Sequence, residues 1–208
     1  MTQPDDWAGH LFELRSGPVS ALADQADLVA SACHAMAVRF HQGGKLIAFG
    51  TGGSSTDAQH VAVEFVHPVI VGKRALPAIS LTTDVATVTG VADQQGLDEV
   101  FAHQIRYLAE PADIALGIST GGISTGGNSR PVLAGLEAAR ALGLLTIALA
   151  GGDADELAAS PAVDHLIVAR SADPRIVKEL QVTAYHVLWE LVHVFFEQPG
   201  VLEPGVVT

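Results

Sequence analysis

Five short apolar runs constrain this chain more than anything else in it: LIAFG (46–50), PAISL (77–81), IALGI (114–118), LLTIALA (144–150) and HLIVA (165–169). Each is apolar at successive positions rather than alternate ones. A strand with one wet face alternates; a strand covered on both faces does not. Helical periodicity fills most of the intervals between the runs. Alternating strands and helices imply right-handed crossovers, hence a parallel sheet with helices on both sides. The predicted fold is α/β, a three-layer doubly wound parallel five-stranded sheet flanked by helices. The 208 residues, 49% hydrophobic and 16% charged, are expected to form one domain. Its parts are an N-terminal helix at about 18–42, a sheet core at about 45–170 and a C-terminal helix at about 174–198.

The first helix carries a seam of Leu22, Ala26, Val29, Cys33, Met36 and Phe40. The last carries Ile176, Leu180, Ala184, Val187, Leu191 and Val194. Such seams either cover the sheet or pack against a second subunit, and an oligomer is expected. The net charge of −12 repels nucleic acid on average, and no apolar run is long enough for a membrane span. The start, MTQPDDWAGH, is acidic and unlike a secretory leader, and Cys33 has no second cysteine to pair with. Both features fit a cytoplasmic protein.

Two glycine-rich turns each connect the end of a strand to the start of a helix. In FGTGGSSTDAQH (49–60), Gly50, Gly52 and Gly53 let backbone approach a ligand, and Ser54, Ser55 and Thr56 add hydroxyls. Backbone N–H groups and the positive end of a helix dipole make such a turn an anion site, and phosphate is the usual anion. In GISTGGISTGGNSR (117–130) the motif Ile-Ser-Thr-Gly-Gly occurs twice, ahead of a helix that Asn128 or Ser129 can cap and Pro131 can open. Neither turn has the Gly-Lys-Ser/Thr of a P-loop or an acid placed for a ribose, so no nucleotide cofactor is expected.

GTGGSSTDAQHVAVEF, with DIALGISTGG…GNSRPVL, PAISLTTD and KELQVTAYHVLWELVH, resembles the sugar isomerase (SIS) domains of the phosphoheptose isomerase type over almost the whole chain. The resemblance implies a flavodoxin-like SIS fold, assembled as a homotetramer or dimer with sites between subunits. It also implies isomerisation of a phosphorylated sugar, sedoheptulose 7-phosphate foremost; a non-catalytic branch of the family binds a protein partner. Carried onto this sequence, the phosphate-gripping serine is Ser54, the general base Glu64 and its partner His186. His60, Glu64 and His186 stand where some members hold zinc. Thr51, Gly52 and Gly53 belong to the first turn, and Asp93 lies where the family carries residues near the sugar. The chain departs from the pattern at Thr51, Pro68 and Lys178, the last replacing a glutamine that is a zinc ligand in some members.

Aldose–ketose isomerisation moves a proton between neighbouring carbons through an enediol. It needs a base at the carbon and a donor at the oxygen, where charge develops. Glu64 would be the base and His186 the proton shuttle; His60, four residues before Glu64, shares its helix face. Asp57 is read as compensating a helix N-terminus. In the doubled loop the candidate phosphate contacts are Ser119 and Thr120 of the first copy, Ser124 and Thr125 of the second, and Ser129. The second copy abuts the helix, where the dipole acts, and is expected to bind while the first bulges or forms a lid.

Overall fold

The computed structural model describes residues 4–121, 129–152, 154–198 and 202. Five parallel strands run in the order β2-β1-β3-β4-β5: β1 (Leu46–Gly50), β2 (Ala78–Ser80), β3 (Ile114–Ser119), β4 (Leu145–Gly151) and β5 (His165–Ala169). The helices are α1 (Pro4–Ala23), α2 (Ala26–His41), α3 (Gly53–Val66), α4 (Val85–Gln95), α5 (Val100–Leu108), α6 (Arg130–Ala141), α7 (Asp155–Ala159) and α8 (Pro174–Glu197). The doubly wound α/β architecture read from the apolar runs is the one observed.

Successive residues of a strand point to opposite faces, and each face has its own core. Leu46, Ala48, Leu116, Ile118, Ile147 and Leu149 pack with residues of α2, α3 and α8. Ile47, Phe49, Ala115, Ala148 and Ala150 pack with residues of α4, α5, α6 and α7. This two-sided burial is why β1, β3 and β4 carry no polar alternation; the edge strands β2 and β5 are only partly buried.

The expected single N-terminal helix is two. The break falls at Asp24 and Gln25, where the Gln25 amide donates to Val168 O and accepts from Val168 N, both at 2.9 Å. The side chain thereby pairs with the outer edge of β5 and supplies the partner that an edge strand lacks. Of the two seams, Leu22, Val29, Cys33, Met36, Phe40, Ile176, Leu180 and Ala184 are buried in the sheet-covering core, whereas Val187 stays exposed. Burial pushes the Cys33 thiol up to about 12, so it is a packed, unreactive group. No helix among the described residues is long and apolar enough to cross a membrane.

The start of α8 is set by Asp173, whose carboxylate accepts from Arg175 N at 2.9 Å and from the Arg175 guanidinium at 2.7 Å. The Arg175 side chain first, and then its backbone N–H, hold this carboxyl down at about 2. Because the folded value lies below the unfolded one, the ionised form favours the fold. That contribution is complete above about pH 4 and is lost as pH falls toward the folded value. In Asp173→Asn, thermal midpoints recorded across this window should therefore fall less steeply with acid than in the wild type.

Candidate active site

β1 and β3 are neighbours, with Gly50 opposite Ile118. β1 leads into α3 on one face of the sheet and β3 leads toward α6 on the other. Diverging connections at adjacent carboxyl ends leave a crevice, the place where open α/β sheets bind ligands. The two glycine turns meet here. A Cβ on Gly50 would lie 2.7 Å from Ile118 O and 2.7 Å from Ser54 Cβ. Only a bare Cα allows the first turn and the end of β3 to touch.

Gly52 precedes α3 with φ +56, a left-handed conformation suited to glycine. Its carbonyl accepts the Ser55 hydroxyl at 2.7 Å, and Gly53 O accepts the Thr56 hydroxyl at 2.7 Å. Ser54 is buried beneath the turn. A cavity of about 270 Å³ opens beside it, lined by Gly50, Thr51, Gly52, Ser55 and Thr82 over an apolar floor that includes Phe101. Asp93 is exposed on α4 and does not line this cavity.

In the doubled loop, Ser119 and Ser129 are buried with their hydroxyls 2.9 Å apart. Both turn toward Gly121 O, Ser119 at 2.9 Å and Ser129 in closer contact. Ser129 occupies the position before α6, yet its hydroxyl donates to Gly121 O instead of capping the helix. Thr120 is half-buried. Ser124, Thr125 and Asn128 lie outside the described residues.

The other cluster lies between α3 and α8. Lys178 Nζ donates to Gly53 O at 2.7 Å, the Tyr185 hydroxyl meets His60 Nδ1 at 2.7 Å, and Trp189 Nε1 donates to Glu64 O at 2.8 Å. All three contacts have the same sequence offset, 125 residues, so the helices run parallel and in register. Glu64 is buried, and its Oε1 lies 3.2 Å from His60 Nε2. The rings of His60 and His186 are 5.3 Å apart, edge to face. His60, Glu64 and His186 offer ligand atoms all within 4.8 Å of one another.

Lys178 does not confront this cluster. Its ammonium forms an ion pair with Asp57, which is buried rather than merely facing a helix N-terminus. Tyr185 and Trp189 are buried site residues that pattern reading missed. The only available signal was their phase: Tyr185 lies seven residues after Lys178, on the same face of α8. Burial, then the negative charges of Asp57 and Glu64, raise the Tyr185 phenol above its ordinary range, so it stays protonated.

The structure thus brings Ser54 to the start of the doubled loop and brings Glu64, His60 and His186 together. It does not bring the two groups to one point within a chain. Ser54 and Glu64 are ten residues apart on one helix, about 15 Å along its axis.

The sequence matches the SIS domain family over residues 18–151. It is 39% identical over 199 residues to a phosphoheptose isomerase of Solidesulfovibrio magneticus, covering 95% of this chain and 93% of that protein. The chain belongs to the SIS domain family. Among solved SIS structures, a phosphoheptose isomerase from Francisella tularensis superposes with a TM-score of 0.81 at 28% identity, covering 93% of this chain and 100% of that one. One from Neisseria gonorrhoeae superposes with a TM-score of 0.79 at 28% identity, covering 92% and 98%. In this SIS domain the Lys178–Asp57 pair is a structural clamp on the first turn. Lys178→Met should cost roughly 1–3 kcal/mol in urea unfolding, because it strands a buried carboxylate. Adding Asp57→Asn should recover part of that loss.

Proposed function

We propose that this SIS domain is a phosphosugar aldose–ketose isomerase acting on sedoheptulose 7-phosphate in the cytoplasm. The observation that carries the reading is the buried Glu64 carboxylate facing His60 and His186 across α3 and α8. The similarity to phosphoheptose isomerases across nearly the whole chain supports the same reading.

The first turn and the doubled loop hold the phosphate through backbone N–H groups, Ser54 and loop hydroxyls. Because the Ser119 hydroxyl is already engaged with Ser129 and Gly121, the second copy, with Ser124 and Thr125, makes the direct phosphate contacts. Glu64 removes the proton from C1 while the C2 carbonyl oxygen gains one, giving the enediol. The proton then returns to C2 as the C1 hydroxyl gives up its own and becomes the new carbonyl. His186 carries the proton between the two oxygens.

The chemistry of His60, Glu64 and His186 fits zinc: two imidazoles and a carboxylate whose ligand atoms lie close enough to share one ion. Lys178 is no obstacle, since its ammonium is bound to Asp57 and Gly53 O. When bound, such an ion supplies Lewis-acid polarisation of the carbonyl oxygen.

The separation of Ser54 from Glu64 favours sites shared between subunits, with the phosphate gripped by one and the base supplied by another. An apolar groove of about 320 Å³ among α1, α2 and α8, lined by Val19, Leu22, Val29, Val187 and Leu191, provides packing surface for a dimer or tetramer.

Solvent deuterium should enter sedoheptulose 7-phosphate in the presence of the wild type, and Glu64→Gln should slow this about 10²- to 10⁴-fold. Thermal stabilisation by the sugar phosphate without exchange would instead mark a binding module. Co-assembled Ser54→Ala and Glu64→Gln subunits, each inactive alone, should regain about a quarter of wild-type activity in a dimer whose sites are shared. No regain would place each site within one chain.

A further inference from the structure

The α3–α8 interface contains a contact that the reaction above does not use. Tyr185 is wholly buried, and its hydroxyl has one partner among the described residues, His60 Nδ1 at 2.7 Å. A buried phenol needs a polar partner for its hydroxyl, but that need alone does not explain why the partner is this ring.

The other end of the imidazole settles the direction of the bonds. Glu64 Oε1 lies 3.2 Å from His60 Nε2, and an ionised carboxylate can only accept. In the neutral ring Nε2 must then carry the hydrogen, which leaves Nδ1 as an acceptor. Tyr185 is the donor that meets it. The chain of bonds runs from the Tyr185 O–H to Nδ1 and from Nε2–H to Oε1.

The geometry also explains why an anchor is needed. The His60 side chain is 45% exposed, whereas that of Glu64 is 9% exposed. A half-exposed imidazole is free to swing into solvent unless something on the buried side holds it. Tyr185 and His186 flank it, with ring centroids 5.5 and 5.3 Å away and interplanar angles of 82° in both cases. The hydroxyl at Nδ1 and the carboxylate at Nε2 together distinguish one ring nitrogen from the other.

We propose that Tyr185 is a positioning residue for the base: its hydroxyl anchors the His60 ring so that Nε2–H meets Glu64 Oε1, and Glu64 Oε2 is left as the atom that takes the substrate proton. Oε2 has no hydrogen bond among the described residues. The base role rests on the function proposed above; the state of His60 does not. Since a phenol both donates and accepts, the same hydroxyl would also orient the ring with Nδ1 protonated, should Nε2 be given to a metal.

The test uses the full-length chain, freed of metal with a chelator and labelled with ¹⁵N-histidine, at a pH above the ordinary imidazole range. Two-bond proton–nitrogen correlations report which ring nitrogen is protonated, and His60→Gln identifies the signal. The wild type should show His60 as the Nε2–H tautomer, and Tyr185→Phe, which keeps the ring and its packing, should show a mixture. Turnover in Tyr185→Phe should fall about five- to tenfold, the scale of one hydrogen bond, with KM changed less than twofold. A wild-type Nδ1–H tautomer overturns the proposal, as does a Tyr185→Phe variant with unchanged spectrum and turnover. If Tyr185→Phe does not fold, the wild-type tautomer decides alone. If the wild type turns over no sugar phosphate, the base assignment fails while the spectrum still judges the Tyr185–His60 contact.

Discussion

The parallel registration of α3 against α8 underlies the rest of the candidate site. Lys178 holds Gly53, Tyr185 meets His60, and Trp189 holds Glu64, all at one sequence offset. A slip of either helix by one residue would rotate its polar side chains by about 100° and separate every pair. The first contact grips the start of the glycine turn. The last two set the imidazole and the backbone of the buried carboxylate. One interface therefore disciplines both the anion end and the acid–base end of the same helix.

That interface is buried, which makes its hydrogen bonds obligatory. Asp57 and Glu64 are both buried carboxylates, and each has a nitrogen partner, Lys178 and His60 respectively. Lys178 shows how a local departure from a family pattern is accommodated. A cation turned toward the histidine–glutamate cluster would compete with a metal. Turned toward Gly53 O and Asp57, it ties the first turn down and leaves the cluster alone.

The sheet and the turns were legible in the chain because burial on both faces and the approach of a backbone both leave strong local marks. Consecutive apolar residues marked the wholly buried strands β1, β3 and β4, and Gly50 marked the place where two segments nearly touch. Of the site residues named from the family resemblance, Ser54 lies beside the end of β3, Ser119 meets Ser129, Glu64 gathers with His60 and His186, and Asp93 stands exposed on α4. Less was legible where a side chain serves a distant partner. Gln25 interrupts what reads as one helix because its amide matches an edge strand 143 residues away. Ser129 reads as a cap, but its hydroxyl donates to Gly121 O instead. Tyr185 reads as a core aromatic, and its ring is one; only its hydroxyl has a second duty.

Sequence alone determined the layered architecture and the chemistry available at the two turns, since these follow from residue type and local period; the carboxylate and imidazoles were singled out by the resemblance to the SIS family. Tertiary structure alone decided which groups meet. It gave Lys178 to Asp57 rather than to the histidines, and Tyr185 to His60. The physical reason is that a periodic pattern states which face of a helix is buried, but not which helix covers it or in what register. Those are settled only when all the faces are packed at once.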